Sequence, residues 1–300
     1  PESVYWVGWT YLNEEKFEEA QRIYWDTVEE HGGDPDMVTI TDVFAGLPKV
    51  YQQDGEEGKT ELLSRLERIK SRAGVARDGI LASRAGWAKS QIVARGNPRA
   101  ERTELLDIAK WIDPKENSPA ISVSVAEALL EGGNILTAKE LFTEIRKWYP
   151  RAVQKGRIYR ALGDIAVEEG DQTKAVEFYE KFERKAIASV NLGEVKLKKA
   201  DLLNGMGKGA DARVEWESVL DMQGVPAGAK AAALYELGES WADEGAHEKA
   251  IVFFERVYVA YGKFGELNAK AYWSRGASLE KLDLNREALE TYEELVSRPD

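Results

Sequence analysis

Tyr159-Arg160-Ala161-Leu162-Gly163-Asp164-Ile165-Ala166, followed nine residues on by Ala175-Val176-Glu177-Phe178-Tyr179, is the stretch that decides the fold. Its pattern returns as Leu234-x2-Leu237-Gly238-x2-Trp241 with Ala250-x3-Phe254. It returns again as Val7-Gly8-x2-Tyr11 with Ala20-x3-Tyr24, and as Gly276-x2-Leu279 with Ala288-x3-Tyr292. Two further copies begin on alanine: Ala126-x2-Leu129 with Ala138-x3-Phe142, and Ala200-x2-Leu203 with Ala212-x3-Trp216. In all six, the second small residue follows the first at one fixed interval. The physical reason is helix packing. A small residue on one helix lets a second helix approach closely, the opening alanine of that helix fits against it, and the aromatic four residues later covers the pair. Turn-forming residues lie between, at Glu169-Gly170-Asp171, Gly205-Met206-Gly207, Asp243-Glu244-Gly245 and Asp283-Leu284-Asn285. Each unit therefore reads as a helix-turn-helix hairpin.

The arrangement resembles the tetratricopeptide repeat, whose signature is W-x2-L-G-x2-Y, then A-x3-F, then P. Pro150, eight residues after Phe142, supplies the closing proline of one unit. The second-helix alanines Ala138, Ala175, Ala212, Ala250 and Ala288 are almost evenly spaced. Their steps count as four regular repeats across 118–300, after a first repeat at 1–34. Each step is a little longer than the family repeat of about 34 residues, so the linkers between hairpins are slightly long. The interval from Ala20 to Ala138 leaves room for two degenerate hairpins within 35–117, assigned to Val38–Gln53 with Lys59–Arg72 and to Val75–Arg95 with Pro98–Ile112. The expected fold is all-α: a right-handed superhelical solenoid of about eight hairpins, forming a single domain over 1–300. The opening Pro1 and the lack of a helix after Leu295 to cover the last apolar stripe are read as signs of a piece of a longer protein, or of an oligomer.

Composition narrows the function. With 41 Lys and Arg against 53 Asp and Glu, the net charge is −12, which argues against a nucleic-acid binder because phosphate neutralisation needs a basic surplus. There is no cysteine, so disulfides, thiolate metal sites and cysteine nucleophiles are excluded. No apolar run is long enough to span a bilayer. Gly55-Glu56-Glu57-Gly58-Lys59-Thr60 ends like a phosphate loop, but Gln53 stands where its first glycine belongs and three acids would repel phosphate. Gly205-x-Gly207-x-Gly209 reads as a hairpin turn rather than a dinucleotide fingerprint. His31 sits at a helix C-terminus and His247 in a turn, and neither has a metal-ligand or nucleophile neighbour. No catalytic residue, metal or cofactor is expected. The charge is uneven: residues 1–50 are strongly acidic, whereas Arg65, Arg68, Lys70, Arg72, Arg77, Arg84, Lys89, Arg95 and Arg99 form a basic block that coincides with the degenerate hairpins, either a separate docking surface or, the preferred reading, their solvated side.

The resemblance implies a partner-binding groove lined by the first helices. The residue after each small first-helix residue should point into it: Trp9, Glu127, Asp164, Asp201, Glu239 and, at the end, Ala277. One turn later come Glu131, Glu168 and Asp243, and one turn earlier Tyr5, Arg160, Tyr235 and Trp273. A mostly acidic groove with aromatic anchors would prefer a basic or amphipathic segment of another protein; the other reading is an ordinary charged helix surface whose acids Arg157, Arg160 and Lys270 neutralise locally. Family members that clamp a peptide carboxylate use Lys and Asn at such stations, whereas the stations here are mostly acids and apolar residues. The expectation is a non-enzymatic scaffold or adaptor. Long spacing, many Trp and Tyr and no cysteine resemble tetratricopeptide proteins of the bacterial envelope, which favours the periplasm over the cytoplasm. The alternative is an interaction segment of a larger enzyme or signalling protein.

Overall fold

The computed structural model describes residues 2–37, 39–95, 97–152, 154–185 and 191–297; Pro1 and Val38 lie outside them. Among these residues the chain is all α, with sixteen α-helices and no strand. It divides into two compact units, Pro1–Ile158 and Tyr159–Asp300. The first holds α1 (Glu2–Asn13), α2 (Phe17–His31), α3 (Ile40–Val50), α4 (Gly55–Ala76), α5 (Gly79–Val93), α6 (Pro98–Ile108), α7 (Pro119–Glu131) and α8 (Ile135–Trp148). The boundary falls within α9 (Lys155–Glu168). The second unit continues through α10 (Gln172–Glu183), α11 (Leu192–Gly205), α12 (Gly209–Asp221), α13 (Ala227–Asp243), α14 (His247–Ala260), α15 (Gly265–Lys281) and α16 (Asn285–Ser297).

The turns obey the local chemistry. Gly170, Gly207 and Gly245 adopt φ of 74°, 75° and 78°, a left-handed conformation that ends a helix at little steric cost in glycine. Asp171 then caps α10 by accepting from the Lys174 amide at 3.1 Å. The segment that imitates a phosphate loop is simply the opening of α4.

Within the regular hairpins the close approach is plain. Gly8 lies against the ring of Tyr24, Gly163 against Tyr179, Gly238 against Phe254 and Gly276 against Tyr292, and a methyl group on any of these glycines would overlap the ring. The offset in sequence from glycine to ring is the same in all four. Tyr24, Tyr179 and Phe254 are fully buried, as are Phe142 and Trp216, which belong to the alanine-type units. Burying one such side chain contributes about 1.5–3 kcal/mol.

The stretch between the first and fourth hairpins departs from this plan for a physical reason. Gly46 and Gly58 keep the interval of the regular units, but Leu62 stands where the ring belongs. Gly46 packs on Tyr24 of the preceding hairpin instead, and α4 leaves α3 to lie along α5. Next, Ala88 and Ala100 are followed by Glu104, which cannot fill an apolar slot. It accepts instead from Lys70 at 3.1 Å and Lys89 at 2.5 Å, and Glu67 and Asp107 complete the network. The basic block is therefore not one solvated face. Lys70 and Arg84 are buried, Arg84 donating to the Gly32 and Asp34 carbonyls at 2.8 Å each, while Arg68, Arg72, Arg77, Arg95 and Arg99 are exposed. Burial pushes the Arg84 guanidinium down to about 10, against the opposing pull of Asp34 and Asp78.

Replacing Gly238 by alanine should destabilise the chain by about 1–3 kcal/mol in urea unfolding, because Phe254 has to move. Gly265→Ala, at a helix start with open space around it, should stay within about 0.5 kcal/mol of the parent.

Candidate functional site

In unit 2 the residue after each small first-helix residue does not act alone. The residue two places before the small one lies three back on the same helical face, so the two stations share one surface. Lys198 of α11 occupies the earlier station and reaches Asp164 of α9 at 2.9 Å. One hairpin later the earlier station is Glu236 of α13, and its neighbour across the rung is the carboxylate of Asp201 on α11. One rung is closed by a cation; the next sets acid against acid.

The aromatic behind each hairpin also reaches this surface. The Tyr179 hydroxyl donates to Asp164 at 2.7 Å, and the Trp216 indole nitrogen donates to Asp201 at 3.2 Å. Asp164 is thus held from two sides by its own chain. Asp201 has its indole donor, yet burial still raises its carboxyl above the ordinary range, the indole bond working in the opposite direction.

Glu236 carries the largest perturbation among the acids of this face. Its carboxyl is pushed up to about 7, first by desolvation, then by the charges of Asp201, Glu239 and Asp243; Lys270 opposes. Lys270 is engaged elsewhere, donating to Glu266 at 2.9 Å. Next to these acids stand the aromatic anchors. Tyr235 lies 5.8 Å from Phe254 with its hydroxyl 3.5 Å from Ser274, and burial raises its phenol. Trp273 packs 5.3 Å from Tyr292 and is 63% exposed.

The stations read from the sequence therefore separate. Asp201, Glu239, Asp243 and Tyr235 gather around Glu236, and Trp273 follows on α15. Asp164 is internally neutralised, Arg160 is half-buried one turn before it in the helix, and Glu168 is exposed at the end of α9. In unit 1, Glu127 is gripped by Arg157, whose Nε donates at 3.1 Å and whose other guanidinium nitrogen also bonds it. Glu131 is exposed and lines a cleft of about 220 Å³ with Glu101, Arg102 and Leu105. Tyr5 stacks parallel to Tyr24 at 6.3 Å, and Trp9 is exposed. Glu236 and Lys198 were not singled out from the sequence, although counting three residues back from each chosen station finds both. The two histidines lie apart from this face: His31 closes α2 at 3.7 Å from Glu30, and His247 opens α14. Among the described residues no cluster of acids and histidines could hold a metal ion, and no helix is long and apolar enough to cross a membrane.

Glu236→Gln tests the acid-against-acid rung through stability. A carboxyl raised from 4.5 to about 7 on folding makes the native state bind more protons than the unfolded one between those values. Stability must then fall as pH rises through that window and level off above it. The glutamine variant should lose this slope and, at about pH 8, be about 1–2 kcal/mol more stable than the parent, after allowance for solvent screening. Denaturant unfolding across the window measures both.

Family models agree with the hairpin geometry. Tetratricopeptide-repeat models match residues 156–183, the α9–α10 hairpin, and residues 197–263, which run from α11 past α14. No curated protein sequence matches the chain significantly. Among solved structures, the MamA protein aligns at a TM-score of 0.49 and 20% identity, covering 59% of this chain and 90% of MamA. YrrB, described as a TPR protein with an unusual peptide-binding site, aligns at 0.49 and 18%, covering 66% of this chain and 93% of its own. PilF of Pseudomonas aeruginosa aligns at 0.49 and 14%, covering 78% and 90%. Residues 156–183 and 197–263 are thus matched as tetratricopeptide repeats, and the same small-residue crossings recur in the hairpins of α1 with α2 and α15 with α16.

Proposed function

We propose that unit 2 binds a basic segment of a partner protein along the face formed by α11, α13 and α15. The observation that carries this reading is the rung at Glu236, where the charges of Asp201, Glu239 and Asp243 act on its carboxylate and Lys270, the lysine that opposes them, is bonded to Glu266. Elsewhere on the same surface the chain supplies its own cation, as Lys198 does for Asp164. A lysine or arginine from outside would do at Asp201, Glu236 and Glu239 what Lys198 does one hairpin earlier. Tyr235 and the exposed Trp273 would bury the apolar part of the segment, the kind of anchor that dominates interface energies. The biological setting we favour is assembly of complexes of the bacterial envelope, with service as the interaction segment of a larger enzyme or signalling protein as the alternative.

Isothermal titration with a lysine- and arginine-rich peptide and a glutamate-rich one tests the face. The basic peptide should bind preferentially and weaken as salt is added. Because Glu236 must lose its proton to meet a cation, affinity should also rise from about pH 6 to about pH 8. Glu236→Lys should weaken binding at least about tenfold. Equal binding of the two peptides, or binding indifferent to salt, removes the proposal.

A further inference from the structure

The chain holds nine tryptophans, and their surroundings sort them. Trp25, Trp87 and Trp216 are buried. Trp25 and three others carry a cation of the chain itself over the ring. Arg65 lies 3.8 Å over Trp25, Lys110 4.3 Å over Trp111, and Lys147 5.2 Å over Trp148, while Arg213 and Lys249 each lie 4.0 Å over Trp241. Among the described residues no lysine or arginine covers the remaining three, Trp6, Trp9 and Trp273. Trp273 belongs to the face described above. Trp6 and Trp9 stand together on α1, 58% and 42% exposed, with Val7 beside them.

The pair is built rather than loose. Tyr5 stacks on the fully buried Tyr24, Trp6 meets Tyr5 edge-on at 5.2 Å, and Trp9 meets Trp6 edge-on at 5.9 Å. These contacts hold both indoles in place before anything binds, which spares a ligand the ordering cost. Trp9 also occupies the station that in α9 and α11 is an aspartate accepting from the ring behind. With an indole there, the Tyr24 hydroxyl is buried with no hydrogen-bond partner. The stretch of chain that carries the pair is acidic: residues 1–50 hold 11 acids and 3 basic residues, and Lys16 is bonded to Glu14. Asp42, exposed on α3, acts electrostatically on Tyr5 and has no ion-pair partner among the described residues.

We infer that Trp6 and Trp9 form a second docking patch, which takes arginine or lysine side chains of a basic partner segment over the indole faces. Attraction between a cation and the negative face of an indole is the chemistry the molecule already uses at the exposed Trp148 and the half-buried Trp111 and Trp241, and nearby acid draws the same ligand. The patch lies in unit 1 and stands apart from the reading of unit 2, so either can fail without the other.

The test uses the full chain labelled with 5-fluorotryptophan, its fluorine signals assigned by Trp6→Phe, Trp9→Phe and Trp273→Phe. A peptide of alternating arginine and glycine should shift the Trp6 and Trp9 signals. The same peptide with citrulline, planar but uncharged, should not. Trp9→Asn removes the ring and returns an uncharged acceptor to the Tyr24 hydroxyl; it should weaken arginine-peptide binding at this patch about tenfold while melting no lower than the parent. Should Trp9→Asn prove unstable, Asp42→Asn provides the second variant, with an expected loss of about threefold. Unmoved Trp6 and Trp9 signals, or equal shifts with citrulline, overturn the patch; a Trp273 shift in the same spectra reports the unit 2 face independently.

Discussion

An aromatic ring lying on a glycine with no side chain between them is the contact on which this molecule is built. It brings the two helices of a hairpin closer than any larger residue would allow, and the ring then fills the space that the missing side chain vacates. Because interiors are close-packed, the contact has little tolerance: one methyl group on Gly163 or Gly238 has nowhere to go. Such contacts close the regular hairpins, and neighbouring hairpins then bury what is left of one another's apolar surface.

Repeating that contact once per hairpin has a consequence for the surface. The residue after each small one returns to the same station on successive first helices, so side chains far apart in sequence become neighbours on one face. Whether a station attracts or repels a ligand then depends on what the adjacent hairpin offers. Asp164 meets Lys198 and is satisfied internally. Asp201 faces Glu236, whose carboxyl is raised first by desolvation and then by the Asp201 charge. The aromatic residues that close the hairpins also serve this face, since Tyr179 and Trp216 donate to the very acids the register places there.

Where the ring is absent, the architecture changes rather than merely weakening. Leu62 cannot cover a glycine pair as a ring does, and α4 turns to α5. Glu104 in the same slot draws in Lys70 and Lys89, exchanging an apolar contact for a network of five charged groups. Such a network holds its members only while every charge is answered, which explains why lysines and acids are gathered here in one place.

The regular hairpins and their small-residue crossings were legible in the linear chain because they depend on local spacing: the turn of a helix and a glycine or alanine at a fixed interval. The positions of Asp201, Glu239, Tyr235 and Trp273 on the first helices followed from the same arithmetic. What the chain alone did not reveal was which charges neutralise each other. Lys70 and Arg84 look like solvent-facing cations in the sequence and are buried; Asp164 and Asp201 look alike, and one is paired while the other faces Glu236. Local periodicity dictates where a helix begins and which face it buries. The partner of a charge is set by a helix of the next hairpin, and only packing brings that helix alongside.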